Sequence, residues 1–248
     1  MRLLRLSNSD DLNTRVPPEF RAGNIIKALL EHDLREPVDV ETRLLWPGEK
    51  CPGLVEGWVR EFEPDMVYLR MGSYWITWES VPRMVAGRFG GLGDQIASVG
   101  KKSARTPWLA ENPLYRGFRH LAVLTVGGET PFTVDGALAV LDETYRRIVA
   151  AQEDVALVVR APNSPLNSSG TKAGARRSAK RHAAFEAGAK GLAKKYRADW
   201  MPMPAQLMKH GDPAYFVGDG IHKNEAGHRD MAIAEAKAIT ETWRRLRA

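Results

Sequence analysis

Cysteine is almost missing from this chain. Cys51 is the only one, so no internal disulfide can form, and the expected compartment is the reducing cytoplasm. Long apolar runs are missing as well: nothing approaches the roughly 18 residues of a membrane helix. The short run Leu3-Leu4-Arg5-Leu6 cannot serve as the apolar core of a signal peptide. Several reactive signatures are absent too. There is no Gly-x-Ser-x-Gly, no Cys-x-x-Cys and no metalloprotease motif. The glycines at 87, 90, 91 and 93 are followed by no Gly-Lys-Ser/Thr, so they do not make a phosphate loop. Neither a metal nor a cofactor is expected.

Negative charge is scarce in one place only. The net charge is +6, and between Thr171 and Arg197 nine Lys or Arg stand against the single acid Glu186. That segment holds more positive charge than the whole chain, so the remainder is slightly acidic. Local basicity of this kind attracts acidic polymers or anionic surfaces. The regular aromatic spacing of a single-strand binder is lacking. The segment therefore reads as a solvated helix face, His182 included, and nucleic acid is not an expected partner.

What is present points to one large domain. The chain has 248 residues, 44% of them apolar and 27% charged, a globular composition. Arg2 to Leu6 reads as a buried strand that stops at the turn formers Ser7-Asn8-Ser9-Asp10. A helix follows between Phe20 and Glu36, broken by Pro37. Val38 to Leu45 is a second strand, ended by Trp46-Pro47-Gly48. Leu54, Val55, Trp58, Val59 and Phe62 recur at helical spacing, and Met66 to Met71 is a third strand. From Pro82 to Phe132 the pattern loosens into glycines and turn dipeptides with one short candidate strand, Leu121 to Val126. This span reads as an insertion or lid. Trp75, Trp78, Trp108, Tyr115 and Phe118 in or beside it are expected to pack it together or to line a pocket.

Regular structure resumes with a helix from Val134, a continuous apolar strand at Val155 to Val159, the basic helix from about Ala173 to Tyr196, and a weaker fifth strand at Ala198 to Met203. A last helix has Asn224 as its N-cap and Ala232, Ala236, Ile239, Trp243 and Leu246 as its buried stripe. Strands alternating with helices imply parallel strands with right-handed crossovers. Ligands on such sheets sit beyond the carboxyl ends of the strands. That rim carries Ser7 to Asp10, Gly48 and Gly72 to Trp75.

The chemistry centres on Asp219-Gly220-Ile221-His222, just before the last helix. A carboxylate three residues from an imidazole can fix its tautomer, and an imidazole so fixed can activate a serine hydroxyl. A cap beside a surface histidine is the plainer reading of this block alone. Ser9, after the first strand, is the candidate serine; alone it reads as a turn residue. Ser73 is a rival, since it too ends a strand. Gly48 is equally a turn glycine, and His228 is expected to pack inside the last helix.

The ordered blocks Ser7-Asn8-Ser9, Gly48, Gly72-Ser73-Tyr74-Trp75 and Asp219-Gly220-Ile221-His222, with Asn224 and Gly227-His228 behind, resemble the GDSL, or SGNH, hydrolase family over nearly the whole chain outside the insertion. The first block departs from the family's Gly-Asp-Ser, and in the third Tyr74 replaces an asparagine. The resemblance implies a flavodoxin-like three-layer α/β/α sandwich with a five-stranded, mainly parallel sheet. It implies hydrolysis of a small-molecule carboxylic ester, with Ser9 as nucleophile, His222 as base and Asp219 as the residue orienting it. The oxyanion donors would be the backbone N–H groups of Ser9 and Gly48, with Tyr74 where the family has its asparagine. The altered blocks leave open a second reading, a weakened or inactive binding protein of the same fold for an anionic partner.

Overall fold

The structure is a computed structural model that describes residues 1–12, 15–45, 48, 50–70, 72–79, 129–166 and 171–248. Most of the expected insertion at 82–132, its short strand at 121–126, and Trp108, Tyr115 and Phe118 lie outside the described residues. The chain divides into two compact units. The first comprises Met1–Gly72, Leu138–Ser164 and Glu186–Ala248, and the second Ser73–Ala137 and Pro165–Phe185.

The first unit holds the sheet. Its strands are β1 (Arg2–Ser7), β2 (Asp39–Leu44), β3 (Met66–Arg70), β4 (Ala156–Arg160) and β5 (Asp199–Met201). They lie in the order β2-β1-β3-β4-β5, and every neighbouring pair is parallel. Each strand but the last is therefore followed by a crossover, and helices cover both faces. The helices with residues in this unit are α1 (Ala22–Leu34), α2 (Cys51–Phe62), α4 (Val134–Ala151), α5 (Lys172–Lys195) and α6 (Glu225–Leu246), while α3 (Tyr74–Thr77) belongs to the second unit. The result is a three-layer α/β/α sandwich.

Side-chain alternation along the strands sorts the core into two faces. Leu3, Met66, Tyr68, Val158 and Met201 pack with Ile26 and Leu30 of α1 and with Met231, Ala236 and Ile239 of α6. Leu4, Leu6, Val67, Leu69 and Val159 are buried on the opposite face. The layer there contains α2 and α4, tied at its margin by Arg147 to Glu56 at 3.1 Å. Asn224 caps α6, accepting from the Gly227 N–H at 3.0 Å.

Several expectations need correction. Leu54 is 53% exposed because the buried stripe of α2 runs through Cys51, Val55, Val59 and Phe62, and Leu54 falls off it. Leu246, in the last turn of α6, is 57% exposed rather than buried. His182 is buried, not solvated. The stripe of α5 passes through Gly174, Ser178, His182, Phe185, Ala189 and Ala193, residues mostly too small or polar to announce a buried face. The cations Lys172, Arg176, Arg177, Lys180, Lys190, Lys194 and Lys195 do lie on its exposed side. β4 extends to Arg160, one residue past the expected end, because that arginine is buried in the sheet.

In the second unit, Trp75 is buried and stacks at a tilt on Phe132 with ring centroids 6.2 Å apart. The Phe132 N–H donates to the Trp75 carbonyl. Ser178 Oγ donates to the Leu166 carbonyl at 2.6 Å, and the Leu166 N–H donates to Thr77 Oγ1 at 3.3 Å. Buried Glu79 accepts from Arg181 at 2.7 Å. Among the described residues, no helix is long and apolar enough to cross a membrane.

One buried ion pair joins the sheet to the last helix. Arg5 in β1 pairs with Glu235 in α6 at 2.8 Å, and both side chains are wholly inaccessible. Burial by itself favours a neutral Arg5, but Asp11 and Glu235 outweigh it and hold the guanidinium more firmly protonated than usual. Arg5 would keep Asp11 if Glu235 were removed, but removing Arg5 strands the Glu235 carboxylate in the core. Arg5→Met is expected to cost roughly 3–5 kcal/mol, read as a lower denaturant midpoint in equilibrium unfolding.

Candidate active site

The first turn is built by its own side chains. The Leu45 N–H donates to the Ser7 carbonyl at 2.8 Å, so pairing with β2 continues to the end of β1. Asn8 then folds the chain back: its Oδ1 accepts from the Asp10 N–H at 3.1 Å and its carbonyl accepts from the Asp11 N–H at 3.2 Å. This is the local bonding by which asparagine favours turns, and it starts a 3-10 turn over Ser9–Leu12. Asp10 and Asp11 point into the protein, while Ser9 stays half-buried at the rim.

The closing loop is likewise locked before α6 begins. Phe216 and Lys223 form an antiparallel bridge, the Val217 N–H donates to the His222 carbonyl, and the Asn224 N–H donates to the Tyr215 carbonyl. Gly220 sits at φ +70° with the backbone of Gly211 close beside it, a turn that a residue with a Cβ adopts only under strain. At Gly227 an added Cβ would meet the Tyr215 carbonyl oxygen at 2.3 Å. The loop is therefore pressed directly against the first turn of α6.

These two turns meet. Asp219 Oδ1 accepts from the Ile221 and His222 N–H groups at 2.8 and 2.9 Å. Its Oδ2 lies 2.8 Å from His222 Nδ1 and also takes Arg15 at 3.3 Å. With the proton of the imidazole on Nδ1, donated to Asp219, the bare Nε2 faces Ser9 Oγ at 3.3 Å. Three residues named from the sequence thus form one chain of contacts: hydroxyl, imidazole, carboxylate. Burial pushes the Asp219 carboxyl up, but the bonds from His222 and from the backbone outweigh it and leave it below its usual range. The hydrogen bond to Asp219 raises His222 above its ordinary 6.5, against burial, with Asp10 adding to the rise and Lys223 opposing it.

Beneath this chain lies a layer of buried charge. Asp10 binds Lys223 Nζ at 2.8 Å and pairs with Arg70. Asp11 takes Arg5 at 2.6 Å and the Ser7 hydroxyl. Burial would raise the Asp10 carboxyl, yet Lys223 and Arg70 hold it well below the carboxylate range. Arg160, cross-strand to Arg70, binds Asn163 Oδ1 at 2.7 Å, and burial together with the Arg70 charge lowers it to about 10. Burial likewise pushes Lys223 down to about 8, against the pull of Asp10. None of these charges was given a role from the sequence. The available signal was an arginine inside each of three strands: Arg5, Arg70 and Arg160.

The remaining candidates fall as follows. Gly48 lies in the turn after β2, at the same end of the sheet as Ser9; a Cβ there would meet nothing within 4 Å and its φ is not positive. Tyr74 begins α3 and is half-buried, edge-on to Trp75 with centroids 6.5 Å apart. Ser73, the rival serine, is 2% exposed. His228 packs inside α6 as expected, its Nδ1 accepting from the Ala22 N–H at 3.2 Å; burial pushes it down to about 4, so it stays neutral. Among the described residues, no group of three or more His, Cys, Asp or Glu is gathered so as to hold a metal ion.

No protein-family model matches this sequence, and no curated protein does. Solved structures do resemble it. The psychrotrophic esterase EstA from a Pseudoalteromonas species superposes with a TM-score of 0.60 at 11% identity, over 97% of each chain. A lipase/acylhydrolase from Enterococcus faecalis gives 0.56 at 14% identity, over 97% of this chain and 96% of its own. A protein described as a GDSL-like lipase from Parabacteroides merdae gives 0.55 at 13%, over 96% and 94%. The chain has the fold of the GDSL, or SGNH, esterases and lipases.

The shifts within the His222–Asp219 pair fix a sign. The raised imidazole contributes stability that is fully present below its ordinary 6.5 and lost as pH climbs through the folded value. The lowered carboxylate contributes stability present above its ordinary 3.8 and lost as pH falls through the folded value. Their joint contribution is therefore complete between those two ordinary values. Following the His222 ring signals by NMR should give a midpoint above 6.5 in the native chain, and Asp219→Asn should lower it.

Proposed function

We propose that this protein is a serine hydrolase that cleaves a carboxylic ester through an acyl-enzyme. The observation that carries this reading is the continuous contact from Ser9 Oγ through His222 to Asp219. A serine hydroxyl is a poor nucleophile until a base takes its proton. His222 Nε2 receives that proton as Ser9 Oγ bonds to the carbonyl carbon of the ester. Asp219 keeps the proton of Nδ1 in place and stabilises the imidazolium. Collapse of the tetrahedral intermediate expels the alcohol, which takes the proton from Nε2. Water, deprotonated by the same nitrogen, then attacks the acyl-Ser9 carbonyl and releases the acid.

Charge on the tetrahedral oxygen needs donors. In this reading they are the Ser9 and Gly48 backbone N–H groups; Tyr74, in the second unit, is not assigned to the site. The glycine at 48 is consistent with close approach of a ligand, since no crowding or positive φ among the described residues asks for it. The likeness to esterases and lipases is of fold, at 11–14% identity, and supports an ester without naming its acyl group or alcohol. The second reading is a binding protein of this fold with weakened or no catalysis, favoured by a tyrosine standing where the family has its asparagine donor. Loss of one such donor costs about 10²–10³ in rate.

A chain-length series of p-nitrophenyl esters tests the proposal. The wild type should turn over at least one of them, and Ser9→Ala should abolish turnover with its circular dichroism unchanged. Asp219→Asn should lower kcat by roughly 10³–10⁴, because the amide favours the wrong imidazole tautomer. Undiminished hydrolysis by the Ser9 variant discards the assignment.

A further inference from the structure

Ser9 and His222 are each followed by a buried charge, Asp10 and Lys223. Those charges meet. Lys223 Nζ lies 2.8 Å from Asp10 Oδ2, with side chains 1% and 6% exposed, and the Lys223 N–H points at Asp10 Oδ1 at 3.4 Å. Asp10 is anchored from below by Arg70 of β3. The stem of Lys223 is fixed against Gly227 in the first turn of α6, and its ammonium stands over the Phe216 ring at 6.0 Å. Each side of the hydroxyl–imidazole contact is thus one residue from a side of a shorter, drier and fully charged contact.

The two contacts differ in strength. The Ser9–His222 approach is 3.3 Å, neutral and part-exposed. It competes with water and cannot by itself hold two turns that lie 213 residues apart in the chain. A charge-assisted bond in a buried site is stronger and less screened. Consecutive Cα atoms are a fixed distance apart, so fastening Asp10 to Lys223 confines Ser9 and His222 to within one Cα step of that anchor on each side.

We infer that Asp10 and Lys223 are positioning residues, whose buried ion pair sets the geometry and the charge environment of the Ser9–His222 couple. The catalytic meaning of this rests on the hydrolase reading; the coupling itself does not. Asp10 favours the imidazolium form of His222 and Lys223 opposes it. Lys223 also faces Arg70, Arg160 and His228.

The experiment compares the full chain with Asp10→Asn and Lys223→Met, reading His222 by NMR titration and p-nitrophenyl acetate by steady-state kinetics. Removing the anion should lower the His222 midpoint, and removing the cation should raise it. Both variants should lose kcat, by on the order of 10²-fold if the hydroxyl is displaced by about 1 Å, with KM little changed. A pair that serves stability alone would lower the unfolding midpoint while leaving the His222 titration and kcat as they were, and that result overturns the inference. If Lys223→Met does not fold, Lys223→Arg keeps the charge but changes its reach, and a fall in kcat with an unchanged His222 midpoint supports positioning; full kcat in that variant counts against it. If the wild type cleaves no ester, the hydrolase reading fails, and the opposite shifts of the His222 midpoint still decide the coupling.

Discussion

Charge holds the first turn of this protein to its last. Asp10 binds Lys223 across 213 residues of chain, and Arg70 supports the same carboxylate from the neighbouring strand. Asp11 and Glu235 share Arg5 in the same way, one from the first turn and one from α6. Taking such groups out of water is costly, and an apolar core of equal volume is often at least as stable. What the charges supply instead is placement. A carboxylate with two cations at fixed positions has one acceptable location, whereas apolar side chains slide past one another at little cost.

That placement decides what reaches the rim. The parallel sheet ends β1 and β2 at the same edge, and α6 starts where the closing loop is pinned by Phe216, Lys223 and Gly227. Inner and outer groups of the two turns therefore divide the work. Asp10 and Lys223 are dry and fully paired, while Ser9, His222 and Asp219 are part-exposed and reachable from solvent. Asp219 uses both oxygens: one closes its own turn on Ile221 and His222, and the other orients the imidazole. The carboxylate that shapes the loop is also the one that fixes the tautomer.

Much of this was readable from the residues. The three central strands follow from nearly continuous apolar runs bounded by turn formers, since strands covered on both faces need no polar alternation, whereas the edge strands β2 and β5 carry polar residues. The cap at Asn224 and the Asp-x-x-His spacing are local signals, and local geometry realises them. The buried charges were signalled only by an arginine in each of three strands, and such an arginine looks like any solvent-facing residue until the opposite helix is known. Lys223 and Asp10 lie 213 residues apart, and one sequence carries no trace of a pairing that distant. His182 was misplaced for a different reason: glycine, serine and alanine fill the buried stripe of α5, so hydrophobic periodicity is faint there. Leu54 and Leu246 are the reverse case, apolar residues on a helix whose buried stripe lies elsewhere.

Hydrolysis by this protein depends on whether the hydroxyl at residue 9 is made reactive by the imidazole at residue 222. Fluorophosphonate reagents report this without any knowledge of the natural ester, since they phosphonylate only an activated serine. Peptide mapping by mass spectrometry after labelling at neutral pH should find the adduct on Ser9 in the native chain and none in His222→Ala. An unlabelled native protein, or a label carried by another serine such as Ser73, would contradict it.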